Sequence, residues 1–322
     1  MNASVMTVDT LAPTTQPTLH FIGVSTGASS IQSVFPRWAA HLGLDNARLQ
    51  GIDVPIHAPA EVYRRVTEYI ANDPLAAGAL VTTHKIDLFQ ACDDLFDVID
   101  PFAALMGETS CISKREGLLV CHAKDPISSG LALDGIIPPE HWKRTGADVL
   151  CMGAGGSTIA ISWYLSQESR GAERPRRIIV TNRSSARLEH LQHFHSQLDT
   201  ETVFEYELTP VAADNDRVLA TIPDGSLVVN ATGLGKDAPG SPLSVAAAFP
   251  ANAIAWDLNY RGDLVFLDQA RSQSDSNGVV AVDGWTYFVH GWTQVIAEVF
   301  DIAIPTSGPE FDTLSELARS SR

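Results

Sequence analysis

The segment that most restricts this chain is Ala147-Asp148-Val149-Leu150-Cys151-Met152 followed by Gly153-Ala154-Gly155-Gly156 and then Ser157-Thr158-Ile159-Ala160-Ile161-Ser162-Trp163-Tyr164. The first part reads as a short buried strand and the last as a helix. A strand that turns this abruptly into a helix needs a backbone free of side chains, which the glycines supply. The first N–H groups of such a helix have no partner within it and carry positive potential, so they suit a pyrophosphate. The pattern departs from G-x-G-x-x-G at one place, where Thr158 stands for the third glycine.

The following strand, Arg177-Ile178-Ile179-Val180, ends in Thr181-Asn182-Arg183-Ser184, with Arg187 three residues on. A carboxylate here would accept a hydrogen bond from the ribose 2′-hydroxyl of NAD. Two guanidinium groups stand there instead, and their planar donor forks suit a 2′-phosphate. NADP is therefore the expected cofactor, with NAD as the alternative.

Strand-like and helix-like runs alternate on both sides of this segment, which predicts an α/β protein. At 322 residues the chain exceeds the usual single domain. We expect a flexible tail over 1–18, an α/β substrate domain over 19–128 and 285–322, and a Rossmann-type, doubly wound parallel-sheet domain over 129–284. The last helix-like run, from Trp285, returns to the first domain. The run TLSELARSSR is expected to fray, and PPEHWKRTG reads as a linker.

Composition excludes some classes. A formal net charge of −16 opposes broad binding to a phosphate backbone, so no nucleic-acid partner is expected. No apolar run is long enough for a membrane span, and the N-terminus lacks the basic start and apolar core of a signal peptide. Cys92, Cys111, Cys121 and Cys151 show no CxxC spacing and read as reduced, buried thiols of a cytoplasmic protein. The ten histidines show no metal-ligand spacing, and His190, His193 and His195 read as a solvated helix surface. No metal is expected.

Two ionisable residues stand out as acid–base candidates. Lys85 follows the strand-like GALVTT, and Asp125 ends the strand-like LLVCHAK. A lysine beside a carboxylate can move the proton that accompanies hydride transfer at a carbinol. Spacing alone does not pair them.

With these residues in view, the chain resembles the shikimate/quinate dehydrogenase family from about Phe21 to about Phe300. VTTHK is similar to the family's lysine motif, and Ala123-Lys124-Asp125 to its Asn-Thr-Asp. GAGG and NRSSAR are similar to its cofactor loops, Asn230-Ala231-Thr232-Gly233 to its nicotinamide-side strand end, and Asp283-Gly284 to the approach to its final helix. The resemblance implies Lys85 and Asp125 as the catalytic pair. It implies Ser29, Ser30, Thr82, Thr83, Ser110, Lys124 and Tyr287 as substrate contacts. For the cofactor it implies Gly153, Ala154, Gly155, Gly156, Asn182, Arg183, Ser184, Arg187, Ala231, Thr232, Gly233 and Gly284.

The departures fall on substrate recognition. The family's Ser-x-Ser becomes Ser29-Ser30-Ile31, and Thr82 stands one residue nearer the lysine. Ser110 replaces an asparagine, Ala123-Lys124 replaces Asn-Thr, and Gly291 replaces a glutamine, with His290 and Gln294 beside it. Each buried hydrogen-bonding group left unpaired costs ~1–3 kcal/mol, so the substrate need not be shikimate. Lys124 could bind a substrate carboxylate, repel the charge on Lys85, or point to solvent. The resemblance implies an NADP-dependent, reversible hydride transfer at a secondary alcohol of a cyclic hydroxy acid (shikimate, quinate or a relative), in a monomer or homodimer. The alternative is a non-catalytic dinucleotide-binding sensor.

Overall fold

The computed structural model describes residues 5–235 and 238–320. It divides into two compact units, Met1–Ile127 with Val289–Arg322, and Ser128–Phe288. Sequence reading set the junctions at 128/129 and 284/285. The observed boundaries, after Ile127 and after Phe288, fall inside the helices Asp125–Ile136 and Trp285–Phe300.

The first unit is built on a seven-stranded mixed sheet. Its strands are β1 (Met6–Thr7), β2 (Thr18–Gly23), β3 (Arg48–Asp53), β4 (Ala76–Val81), β5 (Val98–Ile99), β6 (Cys111–Arg115) and β7 (Leu118–His122), in the order β1-β3-β2-β4-β6-β7-β5. β1 to β4 run parallel, and β6 is antiparallel to both of its neighbours. The parallel strands need crossover helices, which Ile31–His41 and Ala60–Asn72 provide. Val34, Phe35 and Trp38 of the first, and Tyr63, Val66 and Ile70 of the second, are buried with Ile22, Ile52 and Leu80 of the strands.

Two expectations about the ends of the chain are corrected here. Residues 5–18 are not loose: Met6 and Thr7 pair with Ile52 and Asp53. Thr14 donates through N–H and Oγ1 to Asp73 at 2.7 and 3.0 Å, and the Tyr69 hydroxyl donates to the Ala12 carbonyl at 2.8 Å. Residues 1–4 of the expected tail lie outside the described residues. The C-terminal TLSELAR does not fray but belongs to the helix Pro309–Arg319, with Phe311, Leu314 and Ala318 buried. Each large side chain buried in this way contributes ~1.5–3 kcal/mol, and Trp38 Nε1 donates to the Leu314 carbonyl at 2.7 Å.

The second unit carries a fully parallel six-stranded sheet. Its strands are β8 (Val149–Met152), β9 (Arg177–Asn182), β10 (Val203–Leu208), β11 (Leu227–Asn230), β12 (Ile254–Asp257) and β13 (Val280–Val282), in the order β10-β9-β8-β11-β12-β13. This is the doubly wound dinucleotide-binding arrangement, and its strand order reverses between β8 and β11. Leu150, Met152, Ile179, Val228 and Ala255 of the strands pack with Phe249, Phe266 and Leu267. The run taken for a linker holds a short helix, His141–Thr145, because His141 and Trp142 are buried there. His195 is also buried, against expectation: it stacks on Phe204 with ring centroids 3.8 Å apart and bonds Ser162 Oγ and the Tyr206 hydroxyl, both at 2.7 Å. No helix among the described residues is long and apolar enough to cross a membrane.

Candidate active site

In the second unit, the loops after β8, β9 and β11 are joined at the point where the strand order reverses. Gly153 N–H donates to the Thr181 carbonyl and Ala231 N–H to the Met152 carbonyl, both at 2.8 Å. Gly153 adopts φ +108°, and a Cβ there would stand 2.6 Å from the Ala231 carbonyl oxygen, so only glycine fits. Ala154 is buried, and Gly155 is the N-cap of the helix Gly156–Ser166. A Cβ on Gly155 would meet nothing within 4 Å, so the approach to the helix N-terminus is open. Thr158, in place of the third glycine, is fully buried and donates from Oγ1 to the Gly153 carbonyl at 2.7 Å. It braces the turn from inside.

At the end of β9, Asn182 Oδ1 accepts from Arg183 N–H at 2.7 Å. Ser184 is the N-cap of the helix Ser185–His195, and Arg183 and Arg187 are exposed. Among the described residues neither arginine is ion-paired. Beyond β11, Asn230 Oδ1 accepts from Thr232 N–H and Oγ1 at 3.1 and 2.7 Å, and Asn230 Nδ2 donates to the Leu234 carbonyl and to Asp257 Oδ1, both at 3.2 Å. This fixes Ala231, Thr232 and Gly233 on the same sheet edge. Asp257 is buried, and burial pushes its carboxyl up to about 6. The Gly284 N–H donates to the Asn259 carbonyl at 3.0 Å, and a Cβ at Gly284 would stand 2.0 Å from the Leu258 carbonyl oxygen. Its glycine is accounted for by that close backbone approach.

These features fit a dinucleotide: a glycine turn at the reversal point, free helix N–H groups, and arginines with no carboxylate partner at the end of β9. Gly153, Gly155 and Gly156 would hold the pyrophosphate and Arg183 and Arg187 an added phosphate.

In the first unit, Lys85 and Asp125 meet. Lys85, which follows the strand-like GALVTT, and Asp125, expected to end a strand, are each the first residue of a helix, Lys85–Cys92 and Asp125–Ile136. Lys85 Nζ donates to Asp125 Oδ2, with the side chains 20% and 10% exposed. An ammonium is disfavoured at the positive end of a helix and a carboxylate is favoured there, so Asp125 compensates a charge placed against the dipole of its own helix. The backbone leading in is bent at Thr83, a non-glycine residue at φ +55°. His84 is buried, its Nδ1 3.2 Å from the Tyr63 hydroxyl, and burial holds its imidazole below the ordinary range.

The expected substrate contacts are not equivalent. Ser29, Ser30 and Thr82 are half-buried, and Thr83 is exposed. Ser110 is buried, and its Oγ accepts from Lys124 N–H at 2.6 Å. Of the three readings of Lys124, pointing to solvent is excluded, since Nζ donates to Glu298 Oε2 at 2.6 Å with the side chain 12% exposed. Tyr287 lies in the second unit, edge-to-face on Trp256 with ring centroids 5.9 Å apart. His290 stacks on Phe311 with centroids 4.4 Å apart, as a core residue. The four cysteines are buried and unpaired.

Sequence reading missed two acidic residues. Glu108 is 2% exposed, and the charges of Asp125 and Lys85 act on it. Its one signal was a carboxylate set between a helix-ending glycine and a buried strand. Glu298 is the partner of Lys124 and also meets Arg115 Nη2 at 3.0 Å; on the sequence it looks like any acidic residue of an amphipathic helix. Among the described residues no group of three His, Cys, Asp or Glu converges as a metal site.

No family model matches the chain. The shikimate dehydrogenase (NADP(+)) of Lactococcus lactis subsp. cremoris strain MG1363 is 23% identical over 247 residues, 76% of this chain and 82% of that one. Among solved structures, the quinate dehydrogenase of Corynebacterium glutamicum in complex with NAD is similar with a TM-score of 0.71 and 19% identity, covering 95% of this chain and 99% of that one. The shikimate 5-dehydrogenase of Thermus thermophilus in complex with NADP(H) and shikimate is similar with a TM-score of 0.68 and 20% identity, over 95% and 99%.

Proposed function

We propose that this chain, a divergent relative of the shikimate and quinate dehydrogenases and by that kinship an NAD(P)-dependent dehydrogenase, moves a hydride between NADP and the carbinol carbon of a small cyclic hydroxy acid. The reading rests on the Lys85–Asp125 pair, a nearly enclosed ammonium and carboxylate drawn from two helix starts. A buried ion pair costs desolvation and is weak evidence of stability, so its chemistry is the better reason for it.

Bound NADP supplies the hydride acceptor. In alcohol oxidation, neutral Lys85 takes the hydroxyl proton at Nζ as the carbinol hydrogen departs, and Asp125 stabilises the ammonium formed. In ketone reduction the Lys85 ammonium gives that proton to the oxygen as the carbon receives hydride. Ser29, Ser30 and Thr82 orient the substrate, and Asp125 holds Lys85 in line. Exposed Arg183 and Arg187 favour NADP over NAD.

One observation favours a second reading, a dinucleotide-binding protein without turnover. Ser110 Oγ and Lys124 Nζ are both taken by bonds within the chain. The same observation fits an enzyme whose substrate differs from shikimate.

The test is the initial rate with shikimate and quinate, each with NADP and NAD, for wild type and Lys85→Ala. Lysine-dependent reduction of NADP is expected, with NADP binding retained in the variant. Turnover that survives Lys85→Ala would sink the assignment.

A further inference from the structure

Glu108 has no role in the reaction just described, yet its segment is bonded to Lys85 and the charges of Lys85 and Asp125 reach it. It follows Gly107, whose left-handed backbone (φ +61°) ends the helix Pro101–Met106. It precedes Thr109, whose N–H donates to the Lys85 carbonyl at 2.9 Å. One residue on, Ser110 N–H donates to the His122 carbonyl at 3.0 Å and the Ser110 carbonyl accepts from Val81 N–H at 2.9 Å. The segment is thus fastened to the Lys85 helix on one side and to β4 and β7 on the other.

The Glu108 side chain is closed off from solvent, and Oε1 has no hydrogen-bond partner among the described residues. The ionisable groups that act on it are Asp125 and Lys85 on their two helices, and its charge acts in turn on the Cys121 thiol of β7. Burial, and then the charge of Asp125, push its carboxyl up to about 8, against the pull of Lys85. Two carboxylates facing one ammonium would leave a net negative charge out of water, and a proton kept on Glu108 removes it. Whether Glu108 keeps its proton is therefore governed by burial and by the charges of Asp125 and Lys85.

We propose that Glu108 is a positioning residue of the Lys85–Asp125 site: its buried carboxyl sets how many protons the site holds, and so the pH range in which Lys85 can take one from substrate. The second half of this statement rests on the function proposed above. When Glu108 is ionised, its charge holds the proton on Lys85; when it is protonated, that hold is absent.

Two measurements test this. The first is the pH dependence of kcat/KM for alcohol oxidation in wild type, Glu108→Gln and Glu108→Asp. The wild-type profile is expected to carry an ionisation at about 8 that Glu108→Gln lacks and Glu108→Asp retains. A Glu108→Gln profile that superimposes on the wild type after scaling overturns the proposal. The second needs no turnover: the Glu108 carboxyl is followed by 13C NMR against pH in wild type and Asp125→Asn, with Glu108→Gln identifying its resonance. Loss of the Asp125 charge should lower the Glu108 midpoint by about one pH unit or more. An unmoved midpoint overturns the proposal whatever the substrate. A midpoint that moves in a protein that turns over no hydroxy acid upholds the coupling and defeats the proposed reaction alone.

Discussion

Lys124 Nζ donates to Glu298 Oε2 at 2.6 Å, which ties the residue before Asp125 to the helix Trp285–Phe300. Around this bond, Glu298 Oε1 meets Arg115 Nη2 at 3.0 Å and His122 Nε2 at 3.6 Å, and His122 Nδ1 meets Asp100 Oδ2 at 3.0 Å. Burial raises the Glu298 carboxyl, but the Lys124 hydrogen bond and the charges around it outweigh burial and hold it below the usual carboxylate range. The lysine gained in place of the family's threonine is thereby bound to a partner within the unit, and its backbone N–H fixes Ser110.

Lys124→Met should destabilise the protein by ~1.5–3 kcal/mol, the usual worth of a charge-assisted hydrogen bond lost from a poorly solvated place. Urea unfolding measures it. In a double-mutant cycle with Glu298→Gln the two costs should fall short of additive. Full additivity would show that the two residues do not act as a pair.

Gly153→Ala should lower dinucleotide affinity about tenfold or more, equivalent to ~1.4 kcal/mol, because the new Cβ would force the turn away from Ala231. Fluorescence titration with NADPH reads this directly. Unchanged affinity would remove the turn from the cofactor site.

Arg183→Gln with Arg187→Gln should cost ~1.5–3 kcal/mol of NADP affinity, by the worth of hydrogen bonds to charged groups, and leave NAD affinity nearly unchanged. A parallel loss for both cofactors would place the arginines elsewhere than on the 2′-phosphate.

Glu108 should make the protein less stable as pH rises. Its folded-state midpoint of about 8 lies above the ordinary value of 4.5, so between the two the native state holds a proton that the unfolded state has lost. The stability from this group is present below 4.5 and is lost progressively up to about 8. Glu108→Gln should flatten that part of the urea-unfolding profile against pH. A slope identical to wild type would show that Glu108 is ionised in the native protein.

Some of this site was legible in one dimension. The glycine turn at Gly153 announces itself because a strand, a turn without side chains and a helix lie consecutively, and the absence of a carboxylate after Thr181 is equally local. Lys85 and Asp125 were paired only by resemblance, since the sheet order that sets β7 next but one to β4, across β6, brings together residues 40 positions apart. Even then, the helix start at Asp125 reads as a strand end on the sequence, because the apolar run before it fades into polar residues without a marked boundary.

The buried polar groups were illegible. His195 sits in the polar-looking run HLQHFH, yet Phe204, Tyr206 and Ser162 enclose it from three other segments. The N-terminal residues carry no strand signature beyond two positions, and it is the exposed edge of β3 that gives Met6 and Thr7 their partners. Glu108 and Glu298 are acidic residues like many others until the fold removes water from one and sets Lys124 and Arg115 against the other. The sequence by itself determined the α/β class, the cofactor turn and the charge expected at its phosphate, because each depends on neighbours along the chain. The tertiary structure decided which ionisable groups share a site and which carry a proton, because burial and charge–charge distance are set by segments far apart in sequence.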